Sequence, residues 1–474
     1  MTTDYRGVRK ASGFMHLLKE AIQGKELDYT SVSIRKAVMM LAIPMMLEMM
    51  MESVFALVDL YFVGHLEESS LAIQTVGLTE SVLTVIYSVA MGISMAATAI
   101  VARRIGEKDN EAAARSAAQV IIIGLLINLL LSVLGIIYAR EILMAMGATS
   151  EAAEYGKTFT QIMMGSSVII MLLFLINGVF RGAGNATIAM KSLWIANICN
   201  IVLCPLLING LGPIPALGLT GAAVATTTGR GIGVLYQLYH LLKGSGKIRL
   251  LMRHFKPDFS IIRSMIKIAT PGTFQFVIAS CSWIILARLV AVTGGEDGSA
   301  GYQTALRLMM FFMLPAWGLS GAASTLVGQN LGANAPERAT QSVMKTVKYN
   351  IIFMLLVSLI FFSMGEWLVG FFSEVESVRS IASKAMYIMA SGFVFYGIGM
   401  VMVNAFNGAG DTWTPTWINF FAFWTFQVPV AYLLAVYFEM GPTGVFVAIP
   451  IAETGVTIAS YILFRKGKWK QKQV

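Results

Sequence analysis

Three carboxylates stand close together in one apolar stretch of the chain. Glu48, Glu52 and Asp59 lie four and eleven positions apart. On a helix turning about 100° per residue they fall within roughly 40° of one another, as a single acidic stripe. Such a stripe cannot face lipid, so it must face other helices or a water-filled cavity. A carboxylate held in a low-dielectric setting can take up and release a proton near neutral pH. With carbonyl and amide oxygens around it, it can instead hold a hard cation such as Na⁺. The bland alternative for each acid is a structural one, satisfied by an arginine or a hydroxyl, and Glu48, nearest the start of the run, fits that best. Glu453 is the comparable acid in the second half of the chain. Arg230, near the middle of its apolar run, and Arg307, about two turns inside its own, are candidate counter-ions for the stripe. Arg288 lies near enough to a run's end to snorkel.

The elements that carry these residues are membrane spans. The 474 residues are 56% hydrophobic and 13% charged, and mean hydropathy is +0.71. A soluble domain carries about 25% charged residues. A spanning helix needs about 20 mostly apolar residues, and twelve such runs can be marked: 37–64, 74–102, 116–138, 157–180, 187–209, 216–242, 262–292, 300–328, 347–372, 382–407, 415–438 and 443–465. None alternates with period two, which excludes a β-barrel. The first run lies too deep and is too long for a cleavable signal segment.

The formal charge of +9 sits in the connections between runs. Loops on one side, with both tails, hold 28 Lys and Arg, and the opposite loops hold four, Arg140, Lys157, Arg379 and Lys384. The positive-inside rule then puts both termini in the cytoplasm and requires an even number of spans. The basic charge belongs to a membrane face rather than to nucleic acid. Of the 30 methionines, most are expected to be lipid-facing filler, with an adaptable binding surface as the sharper alternative.

The chain repeats. Gly92-Ile-Ser-Met-Ala-Ala-Thr-Ala-Ile-Val-Ala-Arg-Arg-Ile-Gly106 aligns with Gly318-Leu-Ser-Gly-Ala-Ala-Ser-Thr-Leu-Val-Gly-Gln-Asn-Leu-Gly332, six of fifteen pairs being identical at an offset of 226. The same offset pairs Phe180-Arg-Gly-Ala-Gly-Asn185 with Phe406-Asn-Gly-Ala-Gly-Asp411, and Pro44 matches Pro271 at 227. Six spans separate equivalent residues, so the repeats are parallel, related by an axis along the membrane normal. The expected organisation is a cytoplasmic tail 1–36, a six-helix lobe 37–242, a basic linker 243–261, a second six-helix lobe 262–465 and a tail 466–474.

Cys199, Cys204 and Cys281 lie in apolar runs without metal-ligand spacing or a disulfide pattern. The four histidines, His16, His65, His240 and His254, sit in tails, loops or span ends. No H-E-x-x-H, nucleophile elbow or nucleotide-binding loop is present, so an integral membrane enzyme is disfavoured and no cofactor is expected. Asn177, Asn197 and Asn200 suit interhelical hydrogen bonds.

The run Ala42-Ile-Pro-Met-Met-Leu-Glu-Met-Met-Met-Glu-Ser-Val-Phe-Ala-Leu-Val-Asp-Leu-Tyr-Phe-Val-Gly64 resembles the first helix of multidrug and toxic compound extrusion (MATE) transporters. Phe180-Arg-Gly-Ala-Gly, Asn200-Ile-Val-Leu-Cys-Pro205 and Gly218-Leu-Thr-Gly-Ala-Ala-Val-Ala-Thr226 resemble later segments of that family in the same order. The resemblance implies an all-α membrane protein of twelve helices in two pseudo-symmetric lobes. It implies export of cationic or amphipathic small molecules in exchange for H⁺ or Na⁺. Asp59 takes the position of the family's coupling aspartate, the site of any bound Na⁺. Pro44 takes that of a proline associated with helix bending. Asn177, Asn200 and Thr226 match its polar partners in the first lobe. Cys204 stands where relatives carry Asp or Asn, which removes an oxygen ligand and tilts the balance toward a proton. The seventh and tenth spans contain no Asp or Glu, so the chain resembles DinF-type members more than NorM-type ones, and coupling is expected in the first lobe alone. Glu48 and Glu52 are then available as replacement charge there. The setting implied is a bacterial-type cytoplasmic membrane, with lipids as partners and nothing that demands more than a monomer. A lipid-linked precursor flippase of the same broad superfamily is the runner-up. It would call for a more cationic cavity.

Overall fold

A computed structural model describes the backbone of residues 5–64, 69–210, 213, 215–244 and 246–474. The side chains of 5–12, 14, 59–61, 63, 64, 69, 70 and 73 lie outside the described residues, that of Asp59 among them.

Among the described residues every regular element is helical, as a chain in lipid requires if each backbone N–H and C=O is to be satisfied locally. The first half forms α1 (Tyr5–Gln23), α2 (Ile34–Gly64), α3 (Ser69–Gly106), α4 (Asn110–Ile137), α5 (Ala139–Ala145), α6 (Ser150–Gly165), α7 (Ser167–Ala183), α8 (Ala186–Asn209) and α9 (Gly218–Lys243). The second forms α10 (Phe259–Gly332), α11 (Pro336–Gly370), α12 (Glu376–Ala390), α13 (Phe393–Gly408), α14 (Trp413–Asn419), α15 (Val428–Tyr432) and α16 (Pro442–Arg465). Wider π-helical turns, Phe420–Gln427 and Leu433–Tyr437, make the stretch from α14 through α15 continuous.

Among the described residues, nine helices are long and apolar enough to cross a bilayer, or ten if α12 and α13, bent by 56°, count as one crossing. α10 consists of two helical stretches on either side of a break at Gly295, whose φ of 62° and ψ of −153° are non-helical. A positive φ of this kind costs glycine little and other residues much. α9 is diluted by Thr226, Thr227, Thr228 and Arg230, yet it covers the sixth expected span. All twelve apolar runs of the sequence thus fall on helices.

The chain divides into two compact units. One gathers Gln23–Glu26 with Leu47–Thr273, and the other Met1–Ile22, Leu27–Met46 and Phe274–Val474. The divisions within α2 and α10 each fall just past a repeat proline, Pro44 and Pro271. The repeat glycines pack against those same points. A Cβ on Gly92 would stand 2.6 Å from Thr273 N and 2.7 Å from Ala269 O, within the first unit. A Cβ on Gly318 would stand 2.6 Å from Met45 C and 2.9 Å from Met46 N, within the second. Only a residue without a side chain allows backbones this close. Gly318→Ala is therefore expected to destabilise the second unit by about 1–3 kcal/mol, since the obstructing atoms are backbone and cannot rotate away. Thermal unfolding in detergent checks this, and an unchanged midpoint would count against the close contact.

Candidate functional site

α2 brings its acids into the unit made of Leu47–Thr273. Glu48 is fully buried. Arg181 donates from Nη2 to Glu48 Oε1 at 2.5 Å, and Asn177 Nδ2 donates to the same oxygen at 3.1 Å. Asn177 and Arg181 are one helical turn apart on α7, so both reach the same point. Arg181 is in the last turn of α7, which ends at Gly184 in the left-handed conformation, φ 85°. A cation there also complements the helix dipole. Behind this pair, Asn177 Oδ1 accepts from Gln237 Nε2 at 2.6 Å and from Ser192 Oγ at 3.2 Å. Gln237 Nε2 also reaches Ser192 Oγ at 3.0 Å. Glu48 is therefore held directly by α7, with α8 and α9 bracing Asn177 behind it, while its Oε2 has no hydrogen-bond partner among the described residues.

Glu52, one turn further along α2, is held less tightly. It accepts from Asn197 Nδ2 at 3.0 Å, and Arg230 Nη2 stands 3.7 Å from its Oε1. Arg230 Nη1 donates to the Tyr87 hydroxyl at 2.9 Å. Its guanidinium lies over the rings of Phe55 and Tyr87, 5.6 and 5.8 Å from their centroids. Aromatic faces attract a cation electrostatically and hold Arg230 where water is scarce. α9 can bring Arg230 here because Gly229 lies directly on α8: a Cβ there would meet Ala196 O at 2.5 Å and Asn200 N at 3.0 Å. Across the same seam Asn200 Nδ2 donates to Thr226 Oγ1 at 2.8 Å. Cys204, one turn beyond Asn200, is fully buried.

Between these helices lies a cavity of about 220 Å³, its wall including Phe55, Thr79, Glu80, Tyr87, Phe159, Met163, Thr226 and Arg230. It combines aromatic and methionine surface with an acid, a cation and hydroxyls. Pockets for small organic ligands have this mixture of apolar wall and few polar anchors. No group of three or more His, Cys, Asp or Glu among the described residues is placed to hold a metal ion.

The expected residues are partly brought together. Glu52, Asn197 and Arg230 meet, as do Asn200 and Thr226. Asn177 joins Glu48 instead of that seam. Pro44 lies within α2. The Asp59 side chain, and with it any Na⁺ there, lies outside the described residues. Glu453 belongs to the other unit, in α16. Arg307 and Arg288 are both exposed, so Arg230 alone of the three arginines partners the stripe among the described residues. Arg181, counted among the 28 cations of loops and tails by hydropathy, is instead helical and paired with a fully buried acid. The i, i+4 spacing of Asn177 and Arg181 was the signal available. Tyr87, Ser192 and Gln237 carried none, since isolated polar residues in apolar runs are common.

Comparison with known proteins follows the same outline. The sequence matches the MatE family twice, over residues 44–206 and 271–433, so each match begins at a repeat proline. A probable multidrug resistance protein NorM of Thermotoga maritima is 26% identical over 441 residues, covering 93% of this chain and 94% of that one. A probable multidrug resistance protein YoeA of Bacillus subtilis is 24% identical over 449 residues, covering 93% and 96%. A crystal structure of MATE in complex with MaL6 superposes with a TM-score of 0.88 at 25% identity, covering 96% of this chain and all of the other.

Proposed function

The chain belongs to the MatE family of membrane transporters, and on that premise we propose that it is a secondary active exporter of cationic or amphipathic small molecules, driven by inward H⁺ or Na⁺ with Asp59 as the coupling carboxylate. The observation that carries the reading is the 220 Å³ cavity, walled by Phe55, Tyr87, Phe159 and Met163. Flat rings and pliable methionine accept varied apolar bodies, and Glu80 adds negative charge to the same wall. The multidrug names of the relatives agree with such a pocket.

The pairing of the other two acids of α2 supports Asp59 as the exchanging group. Glu48 has Arg181 and Glu52 has Arg230, so either would have to give up a cation to bind another. Asp59 follows Glu52 by seven residues on the same helix, roughly 10 Å along its axis. Cys204 in place of an oxygen ligand favours H⁺ over Na⁺. The absence of Asp and Glu from the seventh and tenth spans supports a DinF-type placement, beside relatives that include a NorM. The same proposal has the chain act as a monomer among lipids in a cytoplasmic membrane with both termini inside.

The test is transport in vesicles loaded with a fluorescent organic cation. An imposed pH gradient is expected to drive uphill movement, and an imposed Na⁺ gradient alone is not. Uphill movement under Na⁺ alone would reassign the ion, and none under either gradient would sink the antiport. Arg230 in the cavity wall favours one second reading, a flippase for anionic lipid-linked precursors. That reading expects translocation of a lipid probe and indifference of the organic cation to both gradients.

A further inference from the structure

The unit containing Phe274–Val474 has a buried acid of its own. Glu453 lies in α16 and is 7% exposed. Its carboxylate has no ion pair or hydrogen bond among the described residues. It opens on a cavity of about 20 Å³ shared with Trp283, Met309, Met389, Phe393 and Tyr396, room for about one water-sized guest. These residues come from α10, α12 and α13. Tyr396 is the only other titratable group in the lining, and no Lys, Arg or His is in it.

An ionised carboxylate without cation or donor, inside apolar walls and within a bilayer, is strongly disfavoured. Something positive must neutralise it. A hard metal cation needs several oxygens, and the lining side chains supply only the Glu453 carboxylate and the Tyr396 hydroxyl. A proton needs no further ligands. The surroundings are also a place where the backbone can respond. Gly392, at the 56° bend between α12 and α13, packs on Pro450 so closely that a Cβ would meet its Cα at 3.0 Å. Pro450 lies one turn before Glu453 and removes a backbone hydrogen bond from α16.

We propose that Glu453 is a reversible proton-binding site of the second unit, separate from the acids of α2. The step is simple: the carboxylate gains H⁺ to become a neutral acid and releases it when the cavity opens to water. Only its consequence for transport rests on the antiport reading. Proton binding itself can be read without transport.

The test is infrared spectroscopy of the full chain in lipid vesicles, comparing wild type with Glu453→Gln across pH. A carbonyl band of a protonated acid is expected in the wild type, absent from the variant, and lost as the medium is made alkaline. Labelling of wild-type Glu453 by an apolar carbodiimide, which requires the acid form, should fall over the same range and needs no variant. A carboxylate at every pH, or an acid at every pH, overturns the proposal. If antiport holds, Glu453→Gln should flatten the pH profile of export without abolishing it. If antiport fails, the band and the labelling still decide the matter.

Discussion

Asp59→Asn is expected to abolish uphill export while leaving the protein folded and in the membrane. Asparagine has nearly the same shape as aspartate but cannot bind or release a proton at physiological pH, and it offers a cation no charge. A one-for-one exchange of H⁺ for a monovalent cation moves no net charge, so the pH difference alone drives it, about 1.4 kcal/mol or tenfold in substrate gradient per pH unit. Without a group that carries the ion, the substrate should only equilibrate, so at zero membrane potential accumulation should fall to near unity. The measurement is the steady-state gradient of an organic cation in vesicles that hold a pH difference with the membrane potential clamped at zero, at equal amounts of wild type and variant. Binding of the same cation should persist, because the aromatic wall contributed by Phe55, Tyr87 and Phe159 is untouched. Undiminished uphill export by a well-expressed variant would remove Asp59 from the coupling role.

The second large effect is on stability. Arg181→Ala leaves Glu48, fully buried, with Asn177 as its remaining donor. Removing one partner of a buried pair costs about 3–5 kcal/mol, because the other charge is stranded. That is a large part of a typical folding stability of about 5–15 kcal/mol. A marked fall in the midpoint of thermal unfolding is expected, with loss of monodisperse protein in detergent. Glu48→Gln combined with Arg181→Gln should recover much of the loss. Neither position then carries charge, and the amide oxygen introduced on α2 can still accept from Asn177. If the single variant unfolds at the wild-type temperature, the pair is not holding α2 against α7. If the double variant is no better than the single, stranded charge is not the cause.

How much of this was legible in the chain follows from what kind of information each feature needs. Spans, the repeat and the acidic stripe depend on residues near one another in sequence. Lipid has no water to solvate the backbone, so each crossing must be a helix of apolar residues, and a window of about 20 reveals it. The prolines at 44 and 271 and the glycines at 92 and 318 stand out because a backbone constraint permits few residue types. Arg181 is misplaced by the same kind of local reading. It sits at the end of an apolar run, where hydropathy cannot distinguish a cation facing headgroups from one turned inward.

Local patterns in the chain suffice to show a twice-repeated helical membrane protein whose intramembrane acids gather in the first span of the first half, α2. Which acid has which partner is a matter of tertiary packing. Glu48 meets Asn177 and Arg181, and Glu52 meets Asn197 and Arg230, across separations of 129 to 178 residues. Those meetings depend on how far each helix is rotated about its axis and how closely it lies on its neighbour. Rotation and spacing are set by contacts such as Gly229 on Ala196 and Gly182 on Thr98. A shift of one residue in such a contact turns a side chain by about 100°, and no local pattern in the chain records it.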